Sequence, residues 1–139
     1  MTAESVELQD DRLQFHSEGI LVAEIAFSDI VRVIALQSGH HFFFHTTWLL
    51  FETAERVVAC RSDCERITSI IRRVWHPRLD ASGVLRIAHS AKVPGVLKPG
   101  GWWRRRKIVL LTLSALDTLL SDANVRYMNA PVTVGDLDL

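Results

Sequence analysis

The chain has 139 residues, 48% of them hydrophobic, which is enough to bury a core as a single domain. Sixteen lysines and arginines balance sixteen aspartates and glutamates, so the formal net charge is zero. The longest apolar run, residues 108–120, contains polar residues and is too short to cross a bilayer, and the N-terminal segment is acidic where a secretory signal would be basic. We therefore expect a globular, cytoplasmic protein.

The zero net charge conceals a segregation of charge along the chain. Residues 1–29 contain seven acidic side chains and one basic side chain, whereas residues 66–107 contain eleven basic side chains and one acidic side chain. Separated blocks of opposite charge produce a local field that the total does not reveal. Either the acidic segment lies beside the basic one and neutralises it, or the basic segment is free to bind an anionic partner.

The two cysteines, Cys60 and Cys64, do not form a disulfide framework. A bridge between the end of a strand and the start of a helix is geometrically feasible. We nevertheless expect both thiols to be reduced, because the cytosol keeps cysteines in that state.

Several short runs alternate apolar with polar residues, which is the period of strands with one buried face. We expect strands over residues 6–15, 20–27, 30–37, 42–51 and 57–60. Asp10 and Asp11 interrupt the first of these, an edge strand, with a turn or a bulge, and residues 28–29 and 38–39 have the composition of turns. The run 42–51 is bulky on both faces, so it is predicted to be a central strand covered on both sides.

The clearest helix follows this sheet. Ser62 and Glu65 have the spacing of a capping box, and Pro77 is expected to stop the helix. A single apolar stripe runs along the predicted helix, formed by Ile67, Ile70, Ile71 and Val74. This pattern predicts a helix over residues 63–75 that lies across one face of the sheet.

The segment beyond Pro77 is harder to interpret. Residues 84–90 fit either a strand or a helix, and we favour a strand because Gly83 precedes them and a turn signal follows. The segment KPGGWWRRRK, residues 98–107, is expected to be a loop or a wide hairpin, since proline presets φ and glycine admits positive φ.

A strand, a helix and a last strand complete the chain. Residues 108–113 are apolar and β-branched in part, which predicts a strand. Ser114 and Asp117 repeat the helix start signal, so a short helix is expected to run to about residue 122. Residues 125–128 are predicted to form the last strand.

The order of a strand meander followed by an amphipathic helix, with the segments FSDIVRV and TTWLLFE, resembles small bacterial pleckstrin-homology-like domains over residues 5–75. The resemblance implies a bent, strongly twisted antiparallel sheet or partly closed barrel packed by the helix, and a binding rather than a catalytic role. In that superfold the main helix is normally the last element, whereas here more than sixty residues follow it, which indicates either an elaborated version or a different α+β fold. We expect a single α+β domain over residues 1–139. In it, residues 1–77 form the pleckstrin-homology-like part and residues 78–139 form a β-α extension.

The basic, tryptophan-rich loop is the predicted contact surface. Its candidate binding residues are Lys98, Trp102, Trp103, Arg104, Arg105, Arg106 and Lys107. Clustered cations attract phosphate or an anionic membrane surface, and tryptophan suits a lipid–water interface. Within this set, Lys98, Arg104 and Arg106 resemble the spaced basic residues of phosphoinositide-binding members of the superfold. The alternative is that one tryptophan packs in the core and the arginines pair with the acidic N-terminal segment.

Other functions are ranked lower. Arginine could bind the phosphates of a nucleic acid and tryptophan could stack on its bases, but the acidic N-terminal third would repel it. The histidines at positions 40, 41 and 45, with Cys60 and Cys64, lack the spacing of a zinc site, so no metal is expected. No nucleophile elbow, phosphate loop or paired acid motif indicates an enzyme, and no cofactor is expected.

The sequence therefore predicts a non-catalytic interaction module that binds a protein partner or itself. Peripheral binding of anionic lipid or another polyanion through residues 98–107 is the alternative. An enzyme with a dispersed active site is a further alternative.

Overall fold

The computed structural model of the chain describes residues 4–41, 44–98 and 106–139. Its strands are β1 (Glu4–Gln9), β2 (Arg12–Ser17), β3 (Ile20–Ala26), β4 (Arg32–His41), β5 (Phe44–Glu52), β6 (Val57–Arg61), β7 (Leu85–Ser90), β8 (Ile108–Leu111) and β9 (Val125–Met128). Its α-helices are α1 (Ile67–Ser69), α2 (His76–Ser82) and α3 (Leu113–Ser121), and a π-helical segment, Ile70–Val74, lies between α1 and α2. Short 3₁₀ turns occupy Phe27–Asp29, Gly95–Leu97 and Val134–Asp136.

The strands form two sheets. β1, β2 and β3 make a three-stranded antiparallel sheet, and the other strands make a six-stranded sheet in the order β8-β6-β5-β4-β7-β9. In the six-stranded sheet β4 and β7 are parallel, and the remaining pairs are antiparallel. The fold is therefore α+β with a mostly antiparallel arrangement, and within the described ranges the sheets do not close into a full barrel.

The first hairpin has the turn that the sequence predicts. Asp10 and Asp11 both have positive φ, 48° and 69°, which matches the right-handed twist of the strands they join. Glu18 and Gly19 form an equivalent turn between β2 and β3, with φ of 54° and 78°. The predicted interruption at Asp10 and Asp11 is thus confirmed as a two-residue turn.

The predicted continuous meander is wrong at one point. β3 and β4 follow each other in sequence but belong to different sheets, because the 3₁₀ turn Phe27–Asp29 carries the chain from one sheet to the other. The next strand is also longer than predicted: β4 continues past Ser38 to His41. Ser38 is buried, and its hydroxyl donates to the Thr46 carbonyl oxygen, so the polar residue is accommodated inside the ladder.

The helix after β6 differs from its prediction at both ends. The Ser62–Glu65 capping box is not formed; α1 begins after Arg66, which has a left-handed φ of 75°. Pro77 does not end the helical segment, because it lies in the first turn of α2, where a missing N–H costs little. Gly83, with φ of 67°, ends α2 instead.

The six-stranded sheet separates two hydrophobic cores. The first lies between this sheet, the three-stranded sheet and the helical segment 67–82, and the second lies under α3 and Leu97. Alternate residues of β5 enter opposite cores: Leu49 and Phe51 enter the first, and Trp48 and Leu50 enter the second. The prediction that this strand is central and covered on both sides is confirmed.

Candidate interaction surface

The structure describes part of the predicted contact surface. Trp102, Trp103, Arg104 and Arg105 lie outside the described residues. Lys98 follows the 3₁₀ turn Gly95–Leu97 and is exposed, Arg106 is exposed just before β8, and Lys107 is half-buried.

The start of β8 is held by an acidic residue that the sequence did not single out. The Glu4 carboxylate accepts hydrogen bonds from the backbone N–H groups of Lys107 (2.8 Å) and Ile108 (3.0 Å). Toward β6, the Lys107 carbonyl oxygen accepts a hydrogen bond from the Arg61 N–H (2.7 Å). The Lys107 ammonium lies 3.9 Å from the Asp63 carboxylate. Lys107 is therefore a structural anchor of the strand as well as a cation.

A groove lies between β8 and the end of the three-stranded sheet that carries the Glu18–Gly19 turn. Its volume is about 360 Å³. Its apolar walls come from Val22, Val96 and residues 108–110, and its polar lining comes from Glu4, Ser17 and Arg106. Because Glu4 already accepts two backbone bonds, Arg106 is the lining charge that remains available to a ligand.

The outer edge of β8 offers backbone groups to this groove. In an antiparallel pair, residues whose backbone groups point to the neighbour alternate with residues whose groups point away. Lys107 bonds toward Arg61 of β6, and the register places Val109 opposite Ala59, so the backbone groups of Ile108 and Leu110 point outward. The Ile108 N–H is taken by Glu4. Among the described strands β8 pairs with β6 alone, so the Leu110 N–H and carbonyl face the open edge.

Apolar side chains are exposed around this edge. Leu110 and Val96, which both line the groove, are 48% and 39% exposed. Exposed apolar residues grouped along a strand edge are typical of interaction surfaces rather than of an inert surface.

The acidic and basic segments meet in the folded chain. Arg66 pairs with Glu7 (3.2 Å), Arg78 pairs with Asp11, and Arg72 donates to the carbonyl oxygen of Leu139 (2.8 Å). The neutralising interpretation is thus confirmed for Arg66 and Arg78, whereas the partner of Arg72 is a C-terminal backbone group. In the described part of the chain, Lys98 and Arg106 have no such ionic partner.

A second polar cluster joins β4, β5 and β9. Arg32 pairs with Glu52 and donates to the Tyr127 hydroxyl (2.8 Å), which in turn donates to Asn129 (2.9 Å). Burial lowers the pKa of Arg32, but the hydrogen bonds that Arg32 donates to Glu52 and Tyr127 outweigh this effect and hold its pKa above the usual value. Since its members satisfy one another, this cluster stabilises the sheet and is a weaker candidate for a binding site.

Metal-binding geometry is not found in the described ranges, where no three side chains of histidine, cysteine, aspartate or glutamate converge. None of the helices in those ranges combines the length and the hydropathy that crossing a bilayer requires.

Comparison of the chain with protein-family models, with curated proteins and with solved structures gives no significant match.

Proposed function

We propose that the chain is a non-catalytic, cytoplasmic interaction module that binds a protein partner, or a second copy of itself, along the outer edge of β8. The open backbone groups of Leu110 beside an apolar groove are the observation that carries this proposal. An extended segment of a partner can add to such an edge through main-chain hydrogen bonds while its alternate side chains enter the groove. The resemblance to pleckstrin-homology-like domains, which implies a binding role, supports the same function.

Substitution of Leu110 by proline tests this edge directly. Proline removes the outward N–H of Leu110 and leaves the bonds of β8 to β6 intact, because those bonds come from residues 107, 109 and 111. Leu110→Val keeps the N–H and is the matched control. Circular dichroism would verify that both variants fold.

Two measurements would give the readout. A displayed library of random peptides is selected against the wild type, and the affinity of the selected peptides is measured by calorimetry; self-association is measured by sedimentation velocity. We expect binding or dimerisation to weaken at least about tenfold in Leu110→Pro and to be retained in Leu110→Val. A strictly monomeric protein that selects no peptide, or one whose ligands bind Leu110→Pro equally well, would contradict the proposal.

Binding of a polyanion is a second candidate function. It is favoured by Lys98 and Arg106, which are exposed and, within the described residues, have no ionic partner, whereas Arg66 and Arg78 of the basic segment are in ion pairs. Exposed cations without an ionic partner bind anionic surfaces with an affinity that falls steeply as salt increases.

Vesicle co-sedimentation separates this function from the first. We expect binding to vesicles that contain phosphatidylserine, no binding to phosphatidylcholine alone, and a loss of binding in the double variant Lys98→Ala/Arg106→Ala. Arg78→Ala is the control, since this arginine is already paired with Asp11. Equal vesicle binding by the double variant and the wild type would show that Lys98 and Arg106 do not bind the polyanion.

A further inference from the structure

Two cysteines lie side by side in the core behind the groove. Cys60 is the penultimate residue of β6, and Cys64 lies in the turn that follows; their exposed fractions are 0% and 2%. The Cys64 N–H donates to the Arg61 carbonyl oxygen (2.9 Å), and the Cys60 thiol donates to the same oxygen (3.6 Å). One carbonyl therefore brings the two residues together, although three residues separate them in the chain.

The environment makes the two thiols unequal. The neighbouring Cys64 thiol, together with burial, raises the pKa of Cys60 well above its usual value. The neighbouring Cys60 thiol lowers the pKa of Cys64, an effect that burial and the Glu4 carboxylate oppose and that the Lys107 ammonium assists. Cys64 thus ionises first while Cys60 keeps its proton, which is the division of roles found where one cysteine is attacked by an oxidant and a second resolves the product.

We propose that Cys60 and Cys64 form a reversible intramolecular disulfide when a hydroperoxide oxidises Cys64. The Cys64 thiolate attacks a peroxide oxygen, the O–O bond breaks, and an alkoxide or hydroxide leaves, so that Cys64 becomes a sulfenic acid. The Cys60 sulfur then attacks the Cys64 sulfur; the S–S bond forms, the S–O bond breaks, and the hydroxyl group leaves as water with the proton of Cys60. Two thiols are oxidised by two electrons, and the peroxide is reduced to water and an alcohol or a second water.

The turn that carries Cys64 is close to solvent and connects both walls of the groove. Asp63 and Glu65, on either side of Cys64, are exposed, so a small local opening of the turn admits a peroxide. The Glu65 carbonyl oxygen accepts from the Val6 N–H of β1 (3.0 Å), and the Asp63 carboxylate faces Lys107 before β8. A bond between Cys60 and Cys64 fixes this turn to β6, and with it the spacing of β1 and β8. The influence of this disulfide on ligand binding rests on the function proposed above, whereas the formation of the disulfide does not.

The wild-type chain is the test material. The reduced protein is exposed to an equimolar amount of hydrogen peroxide, alkylated with N-ethylmaleimide and analysed by intact mass spectrometry. We expect a monomer that lacks two hydrogens and takes up no maleimide, and that recovers two alkylated thiols after dithiothreitol. Hydrogen exchange is expected to slow at the amides of Val6 and Cys64. Persistence of two alkylated thiols, over-oxidation of one cysteine alone, or disulfide-linked dimers would overturn the proposal.

Single variants assign the roles. Cys60→Ser is expected to accumulate a Cys64 sulfenic acid that dimedone traps, whereas the remaining thiol of Cys64→Ser is expected to react at least about tenfold more slowly. If either buried substitution prevents folding, the wild-type mass and exchange measurements decide the question alone.

The binding measurements are repeated on the oxidised protein. If the disulfide forms but the affinity of the selected peptides does not change, the disulfide is confirmed and its influence on binding in the groove is contradicted. If the protein binds peptides but forms no disulfide, the disulfide proposal is wrong and the proposed function stands.

Discussion

Glu4, the first residue of β1, holds the start of β8 through its carboxylate. Its replacement by glutamine tests this contact. Glutamine keeps one acceptor oxygen but places an NH₂ group against a backbone donor and removes the charge. We expect Glu4→Gln to lower the free energy of unfolding by about 1–3 kcal/mol. Urea denaturation followed by circular dichroism would measure it.

Glu7→Gln is the matched control for this change. Glu7 lies on the same strand and pairs with Arg66 at 3.2 Å, but both side chains are at least half exposed. Its loss should therefore cost no more than about 0.5 kcal/mol. Equal effects of the two substitutions would mean that Glu4 contributes only surface charge.

The Asp63 carboxylate makes the acid stability of the protein testable. Burial raises the pKa of Asp63, but the hydrogen bond and charge of Arg61, with the charge of Lys107, outweigh this effect and hold the pKa below its usual value. The unfolded chain therefore binds the proton more tightly than the folded chain. The stabilisation is present above the unfolded pKa of about 4 and is lost as pH falls through the lower folded value.

Asp63→Asn should reveal this contribution. We expect the variant to be less stable than the wild type at pH 6, with a difference that shrinks as the pH approaches 2. Thermal unfolding across this range would measure it. A difference that is constant with pH would show that the carboxylate is not the source of the stabilisation.

Among the helices, the start of α3 distinguishes a predicted cap from an observed one. The sequence predicts that Ser114 begins the helix, but the Thr112 hydroxyl accepts from the Ala115 N–H (3.0 Å), and Ser114 lies exposed inside α3. Thr112→Ala should cost about 1 kcal/mol of stability. Ser114→Ala should be close to neutral, since alanine is a better helix former. Chemical denaturation of both variants would decide, and a larger loss in Ser114→Ala would contradict the observed cap.

The helical segment after β6 shows what periodicity can and cannot predict. Ile67, Ile70 and Ile71 are buried as the apolar stripe indicates, but Val74 is 52% exposed and Trp75 is fully buried in its place. The reason is the π turn, in which the Trp75 N–H donates to the Ile70 carbonyl oxygen five residues earlier (2.9 Å). This wider turn shifts the buried face by one residue, and a pattern that assumes 3.6 residues per turn cannot detect it.

For the molecule as a whole, the strands could be predicted because alternation is a local property, whereas their distribution between two sheets could not. That distribution depends on contacts between distant residues, such as the hydrogen bonds that the amides of Lys107 and Ile108 donate to Glu4. The candidate site also combines a local feature that could be predicted with contacts between distant residues that could not. The basic segment was visible in the composition, but the groove needs Val22 and Ser17 from the opposite end of the chain.

The placement of β5 between two cores predicts that the molecule unfolds as one unit. Leu49 and Leu50 are both fully buried, but they belong to different cores on opposite faces of this strand. Replacing either by alanine should lower the free energy of unfolding by about 2–5 kcal/mol, because each change removes buried surface and leaves a cavity. Leu110→Ala, on the exposed edge, is the control and should cost no more than about 0.5 kcal/mol.

The decisive measurement is the coincidence of transitions in both variants. Trp75 reports on the first core and Trp48 on the second, so tryptophan fluorescence and circular dichroism should give the same midpoint in urea. A cavity on one face weakens the strand that also supports the other face, and neither core can then unfold alone. Separate transitions in Leu50→Ala, with the first core still folded, would show that the two cores are independent and that β5 does not couple them.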